Sequence, residues 1–122
     1  MEHPDVPYRL GRLFAVLERI QQQAMPGINA TIRDRYYGAA STTPVAVFTT
    51  LLRLKNAHLK KLADGPCAYF ERLIGEVVEP MTDFPRQLTL PEQGRFALGY
   101  YHQRQAFFTR KVAADTTTTP EE

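Results

Sequence analysis

Helix-breaking residues divide this sequence into five segments, each with apolar side chains at helical spacing. The breaks are Pro7 and residues 25–27, 41–44, 64–66 and 80–91, each of which contains proline or glycine. Proline and glycine interrupt helices, whereas apolar residues that recur every three or four positions indicate one buried helix face. The pattern predicts an all-α fold, a single compact bundle of about five helices.

The first predicted helix begins after Pro7 and ends near Ala24. Its apolar face consists of Leu10, Leu13, Phe14, Leu17, Ile20 and Ala24. Arg12 and Arg19 lie two helical turns apart on the other side. We expect that side to be plain solvated surface.

The second predicted helix carries the densest group of polar and aromatic residues, in the sequence INATIRDRYYGAAS at residues 28–41. We expect Asn29 to be its N-cap. The helical phase places on one side Ile32, Tyr36, Ala39 and Ala40. Arg33 and Tyr37, at i and i+4, occupy one flank, and Arg35 occupies the other. Two interpretations stay open: the arginines serve an acid or a helix end of this chain, or they bind a ligand.

The third predicted helix runs from Pro44 to about Leu62, with Thr43 as its N-cap. Its polar stripe contains Thr49, Arg53, Asn56 and Lys60, with Lys61 beside them. Lys55 falls within the apolar sector, where an unpaired charge would be costly to bury. We therefore expect Lys55 to have a partner or to lie at an interface.

The fourth predicted helix follows Pro66 and is the acidic one. Glu71, Glu76 and Glu79 share its polar side. We expect these carboxylates to be solvated or paired with a basic neighbour, in preference to a role in catalysis.

The fifth predicted helix begins near Leu90, because Thr89 and Glu92 have the spacing of a capping box, and it ends near Lys111. Its aromatic sector contains Phe96, Ala97, Tyr100, Tyr101, Phe107 and Phe108, with Arg104 projecting into the sector and Arg95 on the far side. Glycine weakens a helix interior. The two glycines of this segment, at positions 94 and 99, therefore predict that something approaches the backbone closely there.

Charge is distributed unevenly along the chain. The 122 residues have a formal net charge of +2, but the acids gather at the ends, so residues 6–111 carry +7. Such a cationic body attracts polyanions, although many basic proteins bind none. We expect residues 1–112 to form the helical domain and residues 113–122, which lack apolar periodicity, to be a disordered tail.

The sequence contains no motif that indicates an enzyme or a cofactor-binding protein. It contains no phosphate-binding glycine loop and no nucleophile with an evident base, and its three histidines lack metal-ligand spacing. We therefore predict no catalytic residue, no cofactor and no metal. Cys67 is the single cysteine, and no targeting or membrane-spanning segment is visible. A cytoplasmic protein without membrane contact is expected.

Three blocks of the sequence resemble the C-terminal helical region of the type I-C CRISPR large subunit. They are YRLGRLFAVLERIQ at residues 8–21, INATIRDRYYGAAS at residues 28–41 and RFALGYYHQRQAFF at residues 95–108. The blocks keep their order and cover nearly all of residues 8–110. The chain has its own methionine just before this region, as does the type I-C small subunit, which is made by internal initiation within the large-subunit message. The resemblance implies a stand-alone small subunit of the crRNA-guided surveillance complex, Cascade.

The resemblance also implies partners. They are crRNA and target DNA, as heteroduplex and displaced strand, the repeated backbone subunits, the large subunit and a second copy of this chain. No family motif assigns phosphate contacts to single positions, so the candidates come from the charge pattern. The predicted nucleic-acid-binding residues are Arg33, Arg35, Arg53, Lys60, Lys61 and Arg95. The alternative is a purely structural adaptor without direct nucleic-acid contact. In that case Arg33, Arg35 and Arg95 pair with acids of neighbouring subunits, and the aromatic face of the last helix is an interface.

Overall fold

The computed structural model describes residues 5–28 and 31–117. Its helices, in chain order, are α1 (Val6–Ala24), α2 (Ile32–Thr42), α3 (Pro44–Leu59), α4 (Asp64–Val78) and α5 (Leu90–Thr117). These ranges contain no strand. The predicted all-α bundle of about five helices is therefore confirmed.

Helix α1 lies at the centre of the bundle, since it contacts each of the other four helices. Asp5 caps its start by accepting a hydrogen bond from the backbone N–H of Tyr8 at 3.3 Å. The predicted apolar face is buried apart from Ala24, which is half-buried. The expectation of a solvated opposite side is wrong, because Arg12 and Arg19 are both partly buried against α5. A helix surrounded by four others has no wide solvated face.

Glycines allow α1 and α5 to pack backbone against backbone. A Cβ atom on Gly11 would overlap the carbonyl oxygen of Phe96, and one on Gly99 would overlap the carbonyl oxygen of Tyr8. The close approach predicted at Gly99 is therefore confirmed. At Gly94 the prediction is wrong, since nothing lies within 4 Å of a Cβ built there.

The core centres on the ring of Phe14 in α1. Its ring centroid lies 5.5 to 6.4 Å from those of Tyr37, Phe48, Phe96 and Tyr100. Helices α2, α3 and α5 thus each place at least one ring against the same side chain. Aromatic pairs in such edge-on and tilted arrangements add about 0.5 to 1.5 kcal/mol each beyond the burial of their area.

The start of α2 differs from the prediction. Thr31 is the N-cap, and its side-chain oxygen accepts from the backbone N–H of Asp34 at 3.1 Å. The predicted N-cap, Asn29, lies outside the described residues. The backbone N–H of Ile32 donates to Gln21 Oε1 at 2.9 Å, which joins α2 to α1. Both Asn and Thr cap helices, so the sequence could not decide between them by residue type.

Two further details of α2 differ from the predicted helical face. Ile32 and Ala40 are buried as expected, but Ala39 is exposed. Tyr37, placed on a flank by the sequence, instead packs on the central ring of Phe14.

Helix α3 begins at Pro44 with Thr43 as N-cap, as predicted, but it ends at Leu59. The predicted end near Leu62 is wrong because the backbone after Leu59 changes from α-helical hydrogen bonds to tighter turns. The backbone N–H of Lys61 donates to His58 and that of Leu62 donates to Leu59, each three residues back. The predicted polar stripe of α3 is exposed.

Helix α4 buries Phe70, Ile74 and Val77, and its glutamates are exposed, as expected. The guanidinium of Arg9 in α1 donates to the carbonyl oxygen of Val77 at 3.0 Å. Carbonyls at a helix C-terminus lack intrahelical partners, so this contact satisfies one of them.

Residues 79–89 cross back to the turn between α2 and α3. The backbone N–H of Val45 donates to Pro85, and that of Leu88 donates to Thr42. The capping box at the start of α5 is confirmed: Thr89 N–H donates to Glu92 Oε1 at 2.7 Å, and Glu92 N–H donates to Thr89 Oγ1 at 3.3 Å.

Helix α5 continues past the predicted end near Lys111 to Thr117. Two alanines, at positions 113 and 114, have the highest helix propensity of any residue and favour this extension. The rest of the predicted tail, residues 118–122, lies outside the described residues.

Candidate nucleic-acid interface

Five of the six predicted binding residues lie on α2, on α3 or in the turn that follows α3, and the two helices contact each other. Arg33 and Arg35 lie in the first turns of α2, Arg53 lies in α3, and Lys60 and Lys61 lie in the turn that follows α3. All five are exposed. We call Arg35, Arg53, Lys60 and Lys61 the α2–α3 cations.

The α2–α3 cations have no ion-pair partner within the described part of the chain. Lys55, on the same helix, differs, because its ammonium lies 3.4 Å from Glu71 Oε1. Of the two predicted alternatives for Lys55, a partner or a place at an interface, the structure shows the partner. Unpaired exposed cations contribute little to folding, so contacts within the described residues do not account for these four charges.

Arg33 combines exposure with fixed orientation. Its guanidinium donates to the Tyr101 hydroxyl at 3.1 Å and lies over the rings of Tyr100 and Tyr37, at 5.4 and 5.9 Å from their centroids. The electrostatic interaction with Tyr100, opposed by partial desolvation, raises the pKa of Arg33 above its ordinary value. Arg33 is therefore a permanent charge held in place by three rings.

Behind Arg33 lies a buried carboxylate. Glu18 of α1 is buried, and its Oε1 atom accepts from the Tyr100 hydroxyl at 2.8 Å. Arg104 Nε lies 4.0 Å from the same oxygen. Burial, together with the hydrogen bond to Glu18, raises the pKa of Tyr100. The tyrosine therefore stays a neutral donor, and the carboxylate has both a donor and a cation beside it.

These contacts form one cluster, which we call the tyrosine–arginine cluster. Its members are Glu18, Arg33, Tyr37, Tyr100, Tyr101 and Arg104. Helices α1, α2 and α5 each contribute, and so do all three sequence blocks that carry the CRISPR resemblance. Residues far apart in the sequence thus converge on one side of the bundle.

Arg95, the sixth predicted residue, lies elsewhere. Its Nε atom is 3.2 Å from Asp5 Oδ1, at the start of both α1 and α5. Both side chains are exposed, and such pairs are worth about 0 to 1 kcal/mol. The structure does not bring Arg95 into contact with the α2–α3 cations or with Arg33.

An open groove of about 590 Å³ adjoins Arg53. Helix α3 contributes Arg53 and Lys55 to its wall, and apolar side chains that include Ile74, Val78 and Phe84 form its floor. One of the α2–α3 cations therefore stands beside a cavity, whereas Lys60 and Lys61 lie outside its lining.

Within residues 5–28 and 31–117, no group of three or more His, Cys, Asp or Glu residues is placed to hold a metal ion. His58 is buried at the end of α3, where burial and then Lys61 lower its pKa. His102 bonds to the Tyr8 hydroxyl. In the same part of the chain no helix has the length and apolar character needed to cross a membrane.

Several side chains were placed wrongly or missed by the sequence reasoning. Arg12, expected to be solvated, donates to Gln103 Oε1 at 2.9 Å, and Arg19 lies over the ring of Phe107 at 5.9 Å. The predicted aromatic sector of α5 is split, because Tyr101 and Phe108 are exposed. The sequence did contain a sign that α1 packs closely on another helix. Gly11 and Ala15 are small residues one turn apart on α1, which is a pattern suited to close helix packing.

Among curated proteins none matches this chain. The family described as CRISPR-associated protein (Cas_Csd1) matches residues 1–108. That range includes α1 to α4, most of α5 and all three blocks that carry the resemblance. The chain therefore belongs to the Cas_Csd1 family of CRISPR-associated proteins.

Proposed function

We propose that this protein is a non-catalytic small subunit of a type I-C CRISPR RNA-guided surveillance complex (Cascade) that acts in antiviral defence in the cytoplasm. It stabilises the R-loop by sequence-independent contacts to the target heteroduplex and the displaced DNA strand. Its protein partners are the backbone subunits, the large subunit and a second copy of itself. The family membership supports a place in a CRISPR system.

The observation that carries the nucleic-acid role is the contrast between paired and unpaired cations. Lys55, Arg95 and Arg104 each lie within 4.0 Å of a carboxylate oxygen. The α2–α3 cations, which lie on two adjoining helices and in the turn after α3, have no such partner in the described ranges. A surface of unpaired cations binds phosphates by releasing condensed counterions.

This arrangement reads the backbone and not the sequence. The α2–α3 cations project from helix surfaces and from a turn, where they meet phosphate oxygens without entering a groove to reach base edges. In an RNA-guided complex the sequence is already selected by pairing with the guide, so the subunit needs only charge and shape. Arg33, held by the tyrosines, adds a guanidinium suited to bidentate phosphate contact.

The test uses the assembled complex with its guide and a target duplex. Arg35→Ala, Arg53→Ala and Lys60→Ala should each weaken DNA retention by a similar factor for every target sequence. Each lost phosphate contact should also flatten the slope of log affinity against log salt by about 0.7 to 0.9. Retention is measured by filter binding across a salt series.

Arg72→Ala is the matched control, because Arg72 is an exposed arginine on the acidic helix α4 and has no ion-pair partner among the residues that the structure describes. It should leave the salt slope unchanged. If the α2–α3 variants instead drop out of the complex while the salt slope of the remaining DNA binding stays the same, the structural adaptor is correct and the proposal is wrong.

A further inference from the structure

A cleft between α1 and α5 lies outside the predicted binding residues. Its volume is about 200 Å³, and it is lined by Ala15, Glu18, Arg19, Gln22, Arg104, Phe107 and Phe108. Cavities that take drug-sized ligands measure about 300 to 1,000 Å³. This cleft therefore suits a smaller group, such as one planar ring with a single charged substituent.

Two guanidiniums stand on opposite walls of the cleft. Arg104 is held from behind by Glu18 and Tyr100, at 4.0 Å from the carboxylate oxygen and 5.5 Å from the ring centroid. Arg19 lies over Phe107 and has no ion pair within the described residues. Glu18 neutralises one guanidinium and is already bound by the Tyr100 hydroxyl. A net positive charge remains, which favours an anion such as phosphate.

Exposed aromatic side chains lie at the cleft and further along the same face of α5. Phe108 is 61% exposed, and Tyr101, two helical turns earlier on the same face of α5, is 49% exposed. Aromatic side chains beside arginines are the surface on which bases of single-stranded nucleic acid stack. Bases within a duplex are already stacked on each other and offer no free face to a side chain. The charge and the rings together favour an unpaired strand.

We propose that this cleft binds one nucleotide of a single-stranded nucleic acid. The phosphate lies between Arg19 and Arg104, and the base stacks on Phe108, with Gln22 available to its edge. Tyr101 receives a neighbouring base of the same strand. The inference rests on the proposed function, and it adds a second contact surface that requires bases as well as phosphates.

The test measures binding of the full chain to fluorescent oligonucleotides by anisotropy. The probes are an oligothymidine of about 16 nucleotides, the upper end of known site sizes, an abasic strand with the same number of phosphates, and a duplex of equal length. Oligothymidine should bind more tightly than the abasic strand. Phe108→Ala should weaken oligothymidine binding about 5- to 150-fold and leave abasic binding unchanged.

Two further variants distinguish stacking of a base on the Phe108 ring from contact of the strand with any exposed apolar side chain. Phe108→Tyr keeps an aromatic face and should retain binding. Leu98→Ala removes an apolar side chain of similar exposure, 54%, from the same helix and should have no effect on oligothymidine affinity. Because Phe108 and Leu98 are exposed, thermal melts of all three variants should match that of the unchanged protein.

Arg19→Gln with Arg104→Gln should weaken oligothymidine and abasic strand alike, because both carry phosphates. Equal affinity of the unchanged protein for the two strands would overturn the cleft proposal while leaving phosphate binding by the α2–α3 cations intact. Loss of binding in Phe108→Ala without loss in Arg35→Ala or Lys60→Ala would support the cleft and count against the α2–α3 surface. If Phe108→Ala leaves oligothymidine binding unchanged but releases the chain from the assembled complex, the cleft contacts protein and the proposal is wrong.

Discussion

The pair of helices α1 and α5 and the pair α2 and α3 use basic residues in opposite ways. Between α1 and α5, Arg12 bonds to Gln103 and Arg104 lies beside the buried Glu18. On α2 and α3, by contrast, Arg35 and Arg53 are exposed and have no ion-pair partner within residues 5–28 and 31–117. Arg12 and Arg104 thus help to hold α1 and α5 together, whereas Arg35 and Arg53 lie in solvent.

Whether an arginine has a partner within the fold bears on what its presence says about function. A paired or partly buried arginine already has a role in the fold, since removing it would expose or orphan its partner, and any binding role is additional to that. An exposed arginine that has no ion-pair partner among the described residues lacks that explanation. Arg33 belongs to both kinds, because three tyrosines hold it and it nevertheless remains exposed.

The largest expected effect on stability is at the crossing of α1 and α5. Gly99→Ala should lower the free energy of unfolding by about 3 kcal/mol, because the new methyl group overlaps a backbone carbonyl oxygen that cannot rotate away. Gly94→Ala is the control on the same helix, where the space is open. It should raise stability by up to about 1 kcal/mol through helix propensity. Denaturant titrations followed by circular dichroism measure both, and equal effects of the two variants would show that the backbones do not meet at Gly99.

A smaller loss is expected at Glu18. Glu18→Ala leaves the buried Tyr100 hydroxyl without its acceptor and should cost about 1 to 3 kcal/mol. Arg95→Ala breaks an exposed pair with Asp5 and should cost about 0 to 1 kcal/mol. The same denaturant titrations compare the two. A loss at Arg95 as large as that at Glu18 would mean that the α1–α5 pair does not depend on its buried network.

Local features of the fold could be predicted from the sequence because they depend on neighbouring residues alone. The capping box of Thr89 and Glu92 lies within four consecutive residues, and both of its hydrogen bonds form. The need for a partner at Lys55 followed from its helical phase, although the identity of Glu71 did not. Gly99 was identified because glycine is unfavourable in a helix unless something requires it.

Features that join distant parts of the chain could not be predicted in this way. The contact between Arg33 and Tyr101 spans 68 positions, and that between Arg12 and Gln103 spans 91. Apolar periodicity shows which face of a helix is most buried, but it does not show that polar residues on the other face meet a partner. The central position of α1 was therefore missed, and with it the cleft that contains Arg19.

The smallest expected effects lie on the α2–α3 surface and compare the two arginines of α2. Arg33→Ala removes one hydrogen bond and two contacts with aromatic rings, so it should lower the free energy of unfolding by about 1 kcal/mol. Arg35→Ala removes no side-chain hydrogen bond or ion pair within the described chain and should change stability by less than about 0.5 kcal/mol. Both should weaken DNA retention in the assembled complex, and Arg33→Lys should restore only part of it, since an ammonium lacks the planar fork that binds phosphate bidentately. If Arg35→Ala destabilises the free protein as much as Arg33→Ala does, Arg35 also supports the fold. In that case the lack of an ion-pair partner would not identify the residues that bind nucleic acid.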